Sequence, residues 1–334
     1  MLNKNQAIDR INKLGQTKCP FLFVIDYNMQ NNLVFALNEI DVNELKYSIN
    51  NQYFNHENLN NQKEGEILQL KAFPLGFIDY QKAFSFVKKQ LNFGNSFLTN
   101  LTVETPIEVP LDLEDLFQIS QAKYKIWIKD KFVCFSPESF VSVGKNGKIS
   151  SFPMKGTIDA KLLNAENVIL KDPKEQFEHT TIVDLIRNDL SKICDKVWVE
   201  RFRYLEKIKK ADGGSLLQVS SEVCGQLPSN WKNNIGNWLF ELLPAGSITG
   251  APKESTLEII KQAEQYTYKN SSRGYYSGIF GIFDGQVLNS AVLIRFIEKT
   301  KGGLVFKSGG GLTSKSDPRK EYEELISKIY VPVF

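Results

Sequence analysis

The sequence of 334 residues predicts an α+β protein. Clusters of alternating apolar and polar residues are typical of strands, and helical segments are placed singly between these clusters. No regular alternation of strand and helix is present, which argues against a parallel α/β fold. A content of 42% hydrophobic and 12% aromatic residues is sufficient for a large core.

The elements are predicted in order from these patterns. Apolar runs at 21–25 and 33–37 indicate the first strands, and a polar, asparagine-rich segment over about 49–66 is interpreted as an insertion or linker. Further strands are predicted within 91–113 and 123–143, and the sequence Gly-Lys-Asn-Gly at 144–147 predicts a hairpin turn. The remaining predictions are helices at 172–192, 230–243, 252–265 and 317–330 and strands at 276–283, 287–297 and 303–308.

Composition excludes several classes of function. The net charge of +3 is spread along the chain, so we expect neither a nucleic-acid nor a membrane partner. The chain lacks an apolar leader run, and its four cysteines lack metal-ligand spacing, which favours a cytoplasmic protein with reduced thiols. Only two histidines are present, His56 in the asparagine-rich segment and His179, so acid–base chemistry is expected from carboxylates and lysines.

Two helix starts are alike. Asp172-Pro173 and Asp317-Pro318 each place a capping aspartate before a proline suited to the first helical position. Each helix then carries two glutamates spaced i, i+3 on one face. One such pair is ordinarily a solvated face, but two pairs near capped helix starts favour a divalent ion, and Mg²⁺ prefers such oxygen ligands. The four candidate ligands are Glu175, Glu178, Glu321 and Glu324.

Two glycine-rich segments are predicted to be loops that bind an anion. The segment 308–311, Ser-Gly-Gly-Gly, follows a predicted strand and offers backbone N–H groups to a carboxylate or phosphate. The segment 245–253 adds the hydroxyls of Ser247 and Thr249 and the ammonium group of Lys253 at a helix start. The spacing is not that of a P-loop, so an anion other than a nucleotide is favoured.

Two arginines are interpreted differently. Arg187 lies three residues after Asp184 on a predicted helix, and this spacing is most simply a structural ion pair. Arg295 lies in an otherwise apolar strand and needs an anionic partner, which the sequence leaves open as a ligand carboxylate or a protein aspartate.

Lys155 lies in the segment Pro-Met-Lys-Gly-Thr, between residues that disfavour a helix interior. A lysine on a stiff turn is either a solvated surface residue or, when desolvated, an amine that loses its proton more readily and acts as a nucleophile.

Taken together, these segments resemble the chorismate-utilising enzymes, and within that family most closely the component I subunits of 4-amino-4-deoxychorismate synthase. The resemblance runs in unbroken order from about residue 90 to 330 and rests on Ser136-Pro137-Glu138, the Lys155 segment, the helix 175–190, the segment 243–253, Arg273-Gly274-Tyr275-Tyr276-Ser277-Gly278, the glycine run and the helix from Asp317 through Glu324.

The resemblance implies a fold of two large antiparallel sheets packed as a sandwich with helices outside. It implies residues 1–75 as an N-terminal strand-rich segment of the same globule and residues 76–334 as the chorismate-binding catalytic region. The substrate would be chorismate, bound with Mg²⁺ on the four glutamates. The implied substrate-binding residues are Gly156, Thr157, Ser247, Thr249, Tyr276, Arg295, Gly309, Gly310 and Gly311.

The resemblance also implies the chemistry. Lys155 would be a covalent nucleophile in aminodeoxychorismate formation, since anthranilate-forming relatives usually have a small residue there, and Glu138 would move protons. The product would feed para-aminobenzoate and folate biosynthesis. Because the chain offers no Cys-His-Glu triad, a partner glutamine amidotransferase would supply the ammonia.

Two positions depart from the family pattern. Leu98 stands where relatives commonly have glutamine and isochorismate-forming enzymes have lysine, and Gln218 stands where histidine is usual. The short region before residue 75 makes control by tryptophan doubtful. Anthranilate or isochorismate formation and a non-catalytic chorismate-binding subunit therefore stay open as alternatives.

Overall fold

The computed structural model describes residues 1–56, 69–209, 214–268 and 271–333. Within these ranges the helices α1 to α8 are Lys4–Gln16, Phe77–Asn92, Leu113–Ile119, Ala165–Lys171, Pro173–Ser191, Ile235–Glu241, Lys253–Ala263 and Pro318–Ser327. The strands β1 to β9 are Phe21–Ile25, Leu33–Ala36, Leu45–Ile49, Tyr53–Phe54, Lys71–Ala72, Leu98–Glu108, Tyr124–Ile128, Phe132–Ser136 and Ser139–Val143. The strands β10 to β18 are Lys148–Ser151, Met154–Asp159, Lys196–Lys209, Ser215–Gln226, Gly250–Ala251, Ile279–Phe283, Leu288–Val292, Phe296–Thr300 and Gly303–Leu312.

The strands form two antiparallel sheets, which confirms the predicted α+β class. The first sheet has the order β11-β13-β10-β9-β16-β15-β1-β2, with β12 also paired to β13. The second has the order β14-β6-β18-β17-β8-β7-β3-β4, with β5 also paired to β6. Strands from the first 75 residues are present in both sheets.

The two sheets share one hydrophobic core. Leu22 and Val24 of β1 in the first sheet pack in the same cluster as Ile126 of β7 and Phe132 of β8 in the second. Burying such side chains is the main favourable term in folding, at about 25 cal/mol per Å² of apolar surface. The sandwich therefore holds the two sheets face to face.

Helices cover the outer faces at the end where the site lies. α5 packs on the first sheet through a face that includes Ile182 and Ile186, and α8 packs with α2 beside β6 and β18 through Leu325. None of the helices in the described ranges is both long and apolar enough to cross a membrane.

Most of the predicted elements are present, and the hairpin at 144–147 joins β9 and β10. Four predictions need correction. The predicted strand at 287–297 is two strands, β16 and β17, in different sheets, and Arg295 lies in the bend between them and not in a strand. The predicted strand over 91–97 is wrong, because Leu91 completes the buried face of α2. Helices α1 to α4 and the long β12–β13 pair were not predicted. β18 continues through the glycine run, which was predicted to be a loop. Residues 57–66 of the predicted insertion lie outside the described residues.

Candidate active site

A bulge in β11 determines where Lys155 lies. β11 pairs with β13 at Met154 and again at Thr157, and the register shifts between them because β11 has one extra residue. Gly156 has a φ of +87°, and a Cβ there would lie 2.7 Å from Oε2 of Glu175. Only glycine combines this backbone conformation with so close a neighbour. The bulge therefore brings the Lys155 segment directly against α5.

The ammonium group of Lys155 is held by carboxylates. Its Nζ lies 2.9 Å from Oε2 of Glu178, whose side chain is 7% exposed, whereas the Lys155 side chain is 30% exposed. Burial by itself lowers the pKa of Lys155, but Glu178, Glu324 and Glu175 raise it more, so the pKa is above the usual value. The structure therefore does not show the lowered pKa that desolvation alone would produce, because carboxylates from two helices surround the ammonium group.

The first carboxylate pair lies on α5, which begins as predicted. Asp172 caps the helix by accepting a hydrogen bond of 2.9 Å from the N–H of Glu175. Oε2 of Glu175 is buried and has no hydrogen-bond partner. Burial raises the pKa of this carboxyl group above its usual value. A buried carboxylate oxygen without a partner is costly, and a bound cation would satisfy it.

The second pair lies on α8. Glu321 accepts a hydrogen bond of 2.7 Å from the hydroxyl of Ser316, and burial raises its pKa. Burial also acts on Glu324, but the ammonium group of Lys328, 2.8 Å away, outweighs it and lowers the pKa of Glu324. Both carboxylates act electrostatically on Lys155, so the structure brings the two predicted pairs together around that residue.

These groups fit a divalent cation that completes its coordination with other ligands. In the described part of the chain, no three acidic, histidine or cysteine side chains are already close enough to hold a metal ion by themselves. Mg²⁺ commonly binds through a few carboxylates, water and an anionic substrate, without a cage made only of protein groups. The unpartnered oxygen of Glu175 and the excess of carboxylates over lysines are consistent with this type of site.

A cavity of about 90 Å³ lies beside Lys155. Five of the predicted site residues are in its wall: Lys155, Glu138, Glu178, Ser247 and Gly311. The remaining wall residues are Phe97, Leu98, Asn100, Pro153, Met154, Phe177, Thr181, Ile182 and Thr313. One side of the cavity is thus charged, and much of the rest is apolar.

Glu138 lies at the turn between β8 and β9. Burial raises the pKa of its carboxyl group, while Ser247, which hydrogen-bonds to it, and Arg295 oppose this rise. The protonated form is therefore more accessible than for a solvated glutamate. A carboxyl group with a raised pKa in a cavity wall is suited to proton transfer.

Of the nine predicted substrate-binding residues, Ser247 and Gly311 line this cavity and the other seven do not. Thr157 is exposed on β11, and the fully buried Thr249 donates to the carbonyl of Ala245, so neither lines the cavity. Lys253 pairs with Asp189 of α5 at 3.1 Å and holds the loop before α7 in place; its predicted role as an anion ligand is therefore wrong. The predicted Asp184–Arg187 ion pair is confirmed, at 3.0 Å.

The glycine run 309–311 presents its amides from a strand edge. Gly311 lies opposite Asn100 of β6, whose N–H points away from β18, so this is a non-hydrogen-bonded pair. Residues two apart point the same way, so the N–H groups of Gly309 and Gly311 both face away from β6. Lys328 donates to the carbonyl of Gly309 at 2.9 Å on that side. The amides of Gly309 and Gly311 therefore face outward from a strand edge and not from a loop, whereas the N–H of Gly310 faces β6, so the prediction that the Gly310 amide binds an anion is wrong.

Arg295 and Tyr276, which were also predicted to bind the substrate, lie outside the cavity wall. Arg295 has a φ of +54°, and its Nε is buried without a hydrogen-bond partner. Its guanidinium group lies 5.3 Å from the ring of Tyr330, and within the described residues it pairs with no carboxylate. Of the two partners left open by the sequence, a ligand anion is therefore favoured. Tyr276 is 4% exposed, and burial raises the pKa of its phenol.

The histidines and the two departures are also located. His179 is fully buried, its Nε2 lies 2.7 Å from the Ser221 hydroxyl, and burial lowers its pKa to about 4, so it stays neutral. His56 lies in the bend after β4, 3.1 Å from the carbonyl of Tyr47, and is partly buried. Leu98 lines the cavity, whereas Gln218 lies in β13 outside its wall.

Sequence reasoning missed several residues here. Lys328 is the most important of them, and its i, i+4 spacing from Glu324 could have predicted the ion pair that the two residues form. Phe97 and Phe177 line the cavity although they are 61% and 59% exposed, and no pattern along the chain distinguishes them from other aromatic residues.

Comparisons with known proteins agree with this architecture. The sequence profile of a family described as chorismate binding enzyme matches residues 9–333. An uncharacterized PabA-like protein of Pasteurella multocida is 48% identical over 328 residues, covering 98% of both chains. Aminodeoxychorismate synthase component 1 of Bacillus subtilis is 28% identical over 275 residues, which are 78% of this chain and 56% of that protein. The structure of MenF, the menaquinone-specific isochorismate synthase of Escherichia coli, matches with a TM-score of 0.73 at 12% identity, over 98% of this chain and 81% of that one.

Proposed function

Because the chain belongs to the chorismate-binding enzymes, we propose that it converts chorismate and ammonia to 4-amino-4-deoxychorismate with Lys155 as a covalent nucleophile. The observation that carries the proposal is the position of Lys155, in the cavity wall and between two pairs of carboxylates. The resemblance to the named Bacillus subtilis synthase component supports the same reaction.

Substrate binding is assigned to the cationic and amide groups. Chorismate is a dianion, and we assign its ring carboxylate to Arg295, Tyr276 and the outward-facing amides of Gly309 and Gly311. Arg295 is suited to this because its buried Nε lacks a partner and guanidinium groups bind carboxylates through paired hydrogen bonds.

We assign the four glutamates as the residues that would hold Mg²⁺: Glu175 and Glu178 from α5 and Glu321 and Glu324 from α8. When bound, the ion would supply Lewis-acid polarisation of the departing C4 hydroxyl. Burial raises the pKa values of Glu175 and Glu321, and a bound cation would favour their ionised forms.

The chain's own residues move the protons and form the bond. Lys155 first gives a proton to a base, and Glu178 is in contact with it at 2.9 Å. The amine then attacks C2, the ring double bonds shift, and the C4–O bond breaks. Glu138 donates the proton that converts the departing hydroxide to water. Ammonia adds at C4, the double bonds return, and the C2–N bond to Lys155 breaks, so chorismate and ammonia give aminodeoxychorismate and water.

Two residues of the cavity wall, Leu98 and Lys155, argue against the alternative products isochorismate and anthranilate. Leu98 is 6% exposed and reaches the cavity. Its side chain has no group that activates water, which argues against isochorismate formation. Lys155 argues against anthranilate formation, since the proposed covalent route retains the enolpyruvyl group.

Ammonia is proposed to come from a separate glutamine amidotransferase. Neither of the two histidines is placed for a Cys-His pair, since His179 bonds to Ser221 and His56 lies against the carbonyl of Tyr47. The substrate of this chain would then be ammonia, in solution or delivered by that partner. Product formation with an ammonium salt but not with glutamine is the expected result for the isolated protein.

The test compares Lys155→Met with Lys174→Met. Both lysines approach Glu178, at 2.9 and 3.8 Å, but only Lys155 lines the cavity. Each variant is incubated with chorismate, MgCl₂ and an ammonium salt, and products are identified by mass spectrometry. We expect aminodeoxychorismate from the unmodified protein and from Lys174→Met, and at least a ~100-fold loss for Lys155→Met, since a covalent nucleophile has no substitute.

Thermal melting and chorismate binding check that each variant is folded. Full product formation by Lys155→Met would refute the nucleophile. Anthranilate or isochorismate as the product of the unmodified protein would replace the proposed reaction, and chorismate binding without any product would indicate a binding subunit.

A further inference from the structure

A buried ion pair lies behind the proposed carboxylate site. Arg273, three residues before Tyr276, is 2% exposed. Its Nε lies 3.0 and 3.1 Å from the two carboxylate oxygens of Glu264, and its Nη2 donates to the same group at 2.8 Å. The ring of Tyr27 lies 4.4 Å from the guanidinium carbon on another side. Neither charged residue is in the cavity wall.

The pair is bonded to two segments that form that wall. Arg273 donates from Nη1 to the carbonyl of Ile248 at 2.9 Å and from Nη2 to the carbonyl of Asn100 at 2.7 Å. Ile248 follows Ser247 in the turn before β14, and Asn100 itself lines the cavity. One guanidinium group thus links the serine turn to β6.

Glu264 extends the link along β6. Its Oε1 accepts hydrogen bonds from the N–H of Thr102 at 3.1 Å and from the Thr102 hydroxyl at 2.6 Å. Thr102 lies opposite Gly309, and Asn100 lies opposite Gly311, in the β6–β18 pairing. On one edge β6 therefore bonds to the ion pair, and on the other it pairs with the strand whose outward amides are assigned to the substrate carboxylate.

The pair also reaches the tyrosine. The N–H of Tyr276 donates to the carbonyl of Arg273 at 3.0 Å. Lys307 of β18 donates to the same carbonyl at 3.1 Å. Arg273 is thus bonded, through its side chain and its backbone, to every segment assigned to the ring carboxylate except the one that carries Arg295.

We propose that Arg273, together with Glu264, is the positioning residue of the carboxylate-binding wall: it sets the mutual placement of the Ser247 turn, the 309–311 amides and Tyr276 without contacting chorismate. This inference rests on the proposed assignment of the ring carboxylate to Tyr276 and to the amides of Gly309 and Gly311. It does not depend on amination, because binding precedes any reaction with ammonia.

Lysine cannot replace arginine in this position. Four of the five N–H groups of Arg273 are used, and they diverge toward three different acceptors in the plane of the guanidinium group. An ammonium group has three donors at a single point and cannot reach both backbone carbonyls and Glu264 together. The Arg273→Lys variant therefore keeps the charge and loses the link.

The experiment measures the chorismate dissociation constant by calorimetry, with Mg²⁺ and without ammonium salt. Arg273→Lys and Arg273→Met are each expected to raise it at least 10-fold. Glu264→Gln, which keeps an oxygen for Thr102, is expected to raise it about 3-fold. In the same samples the rate of Lys155 modification by pyridoxal phosphate and borohydride, read by peptide mass spectrometry, is expected to change less than 2-fold, because the Lys155 segment is not bonded to the pair.

Lys125→Met is the matched control. Lys125 is also a buried cation that donates to two backbone carbonyls, those of Phe117 and Ser120, but it lies on β7 outside the cavity wall. Its loss is expected to lower the melting temperature and to leave the chorismate dissociation constant within 2-fold.

The outcomes separate the two proposals. An unchanged dissociation constant in a folded Arg273 variant, or an equal increase in Lys125→Met, overturns the positioning role. If neither Arg273 variant folds, the chorismate dissociation constant of Glu264→Gln is used instead, and an unchanged value overturns the positioning role. A protein that binds chorismate tightly but never forms aminodeoxychorismate would refute the proposed reaction and leave the positioning role standing.

Discussion

Replacing Gly156 by alanine tests the contact that turns the Lys155 segment toward α5. The φ of +87° at Gly156 is unfavourable for any residue with a Cβ, and the new methyl group would lie 2.7 Å from Oε2 of Glu175. A carbon–oxygen contact this short is not tolerated, so either β11 or the Glu175 carboxylate must move. Both movements alter the surroundings of Lys155.

The magnitude has two parts. A left-handed backbone conformation costs alanine about 1–2 kcal/mol relative to glycine. Displacing the Glu175 carboxylate adds about 1–2 kcal/mol, the lower part of the range for overpacking, because the clash is with the movable end of a side chain. We therefore expect Gly156→Ala to lower the free energy of unfolding by about 2–4 kcal/mol. For a chain of this length the melting temperature falls about 1.5 °C per kcal/mol, which gives a decrease of about 3–6 °C.

Gly94→Ala is the matched control. Gly94 has a similar φ of +80°, but a Cβ there would meet no atom within 4 Å. Only the backbone cost of about 1–2 kcal/mol is then expected. The difference between the two variants isolates the contact with Glu175.

Urea denaturation and product formation are measured on both variants. Because a shift of about 1 Å at a reacting group can reduce the rate about 100-fold, we expect that loss for Gly156→Ala and less than a 2-fold change for Gly94→Ala. Equal losses of stability in the two variants would refute the packing argument. Full activity of Gly156→Ala would refute the requirement for this placement of Lys155.

Three further predictions concern charged groups. Burial raises the pKa of Glu175, so the ionised form of this residue destabilises the fold above that pKa. Glu175→Gln should therefore be more stable than the unmodified protein at pH 8 and should lose this advantage as the pH falls below the ordinary value of 4.5. The melting temperature of Glu175→Gln should also rise less with MgCl₂, and all three results are measured by denaturation at several pH values. Arg295→Met should weaken chorismate binding about 10–100-fold in calorimetry, since a hydrogen bond to a charged group contributes about 1.5–3 kcal/mol, and an unchanged constant would remove Arg295 from the site. Lys253→Met should lower the free energy of unfolding by about 1–3 kcal/mol, because Asp189 is 6% exposed and loses its better-buried partner, yet should weaken chorismate binding less than Arg295→Met does.

Local features of this protein were readable from the sequence. Asp172 and Asp317 cap α5 and α8 as predicted, each accepting hydrogen bonds from N–H groups at the helix start. The i, i+3 spacing then places each glutamate pair on one helix face. Capping and helical spacing involve residues within a single turn of one another, so no distant part of the chain is needed to predict them.

The functional state of these groups was decided by tertiary structure. The sequence left open whether Lys155 is a solvated lysine or a desolvated amine that loses its proton readily, but Glu178, Glu324 and Glu175 converge on it from two helices and stabilise the ammonium form. The sign of that shift is a sum over groups from several elements, and burial alone would have given the opposite sign. No local pattern contains such a sum.

The same reason explains the glycine run and Arg273. Three consecutive glycines indicate a loop when local propensity alone is considered, but pairing with β6 makes them part of a strand and leaves the N–H groups of Gly309 and Gly311 on the outer edge. In the sequence Arg273 could be recognised only as part of a motif, because the hydrogen-bond partners of its side chain are separated from it by 9 to 173 residues. The available residue types and the starts of α5 and α8 follow from the sequence alone. Which groups meet follows from the folded chain, because contacts between distant segments depend on packing that no single segment encodes.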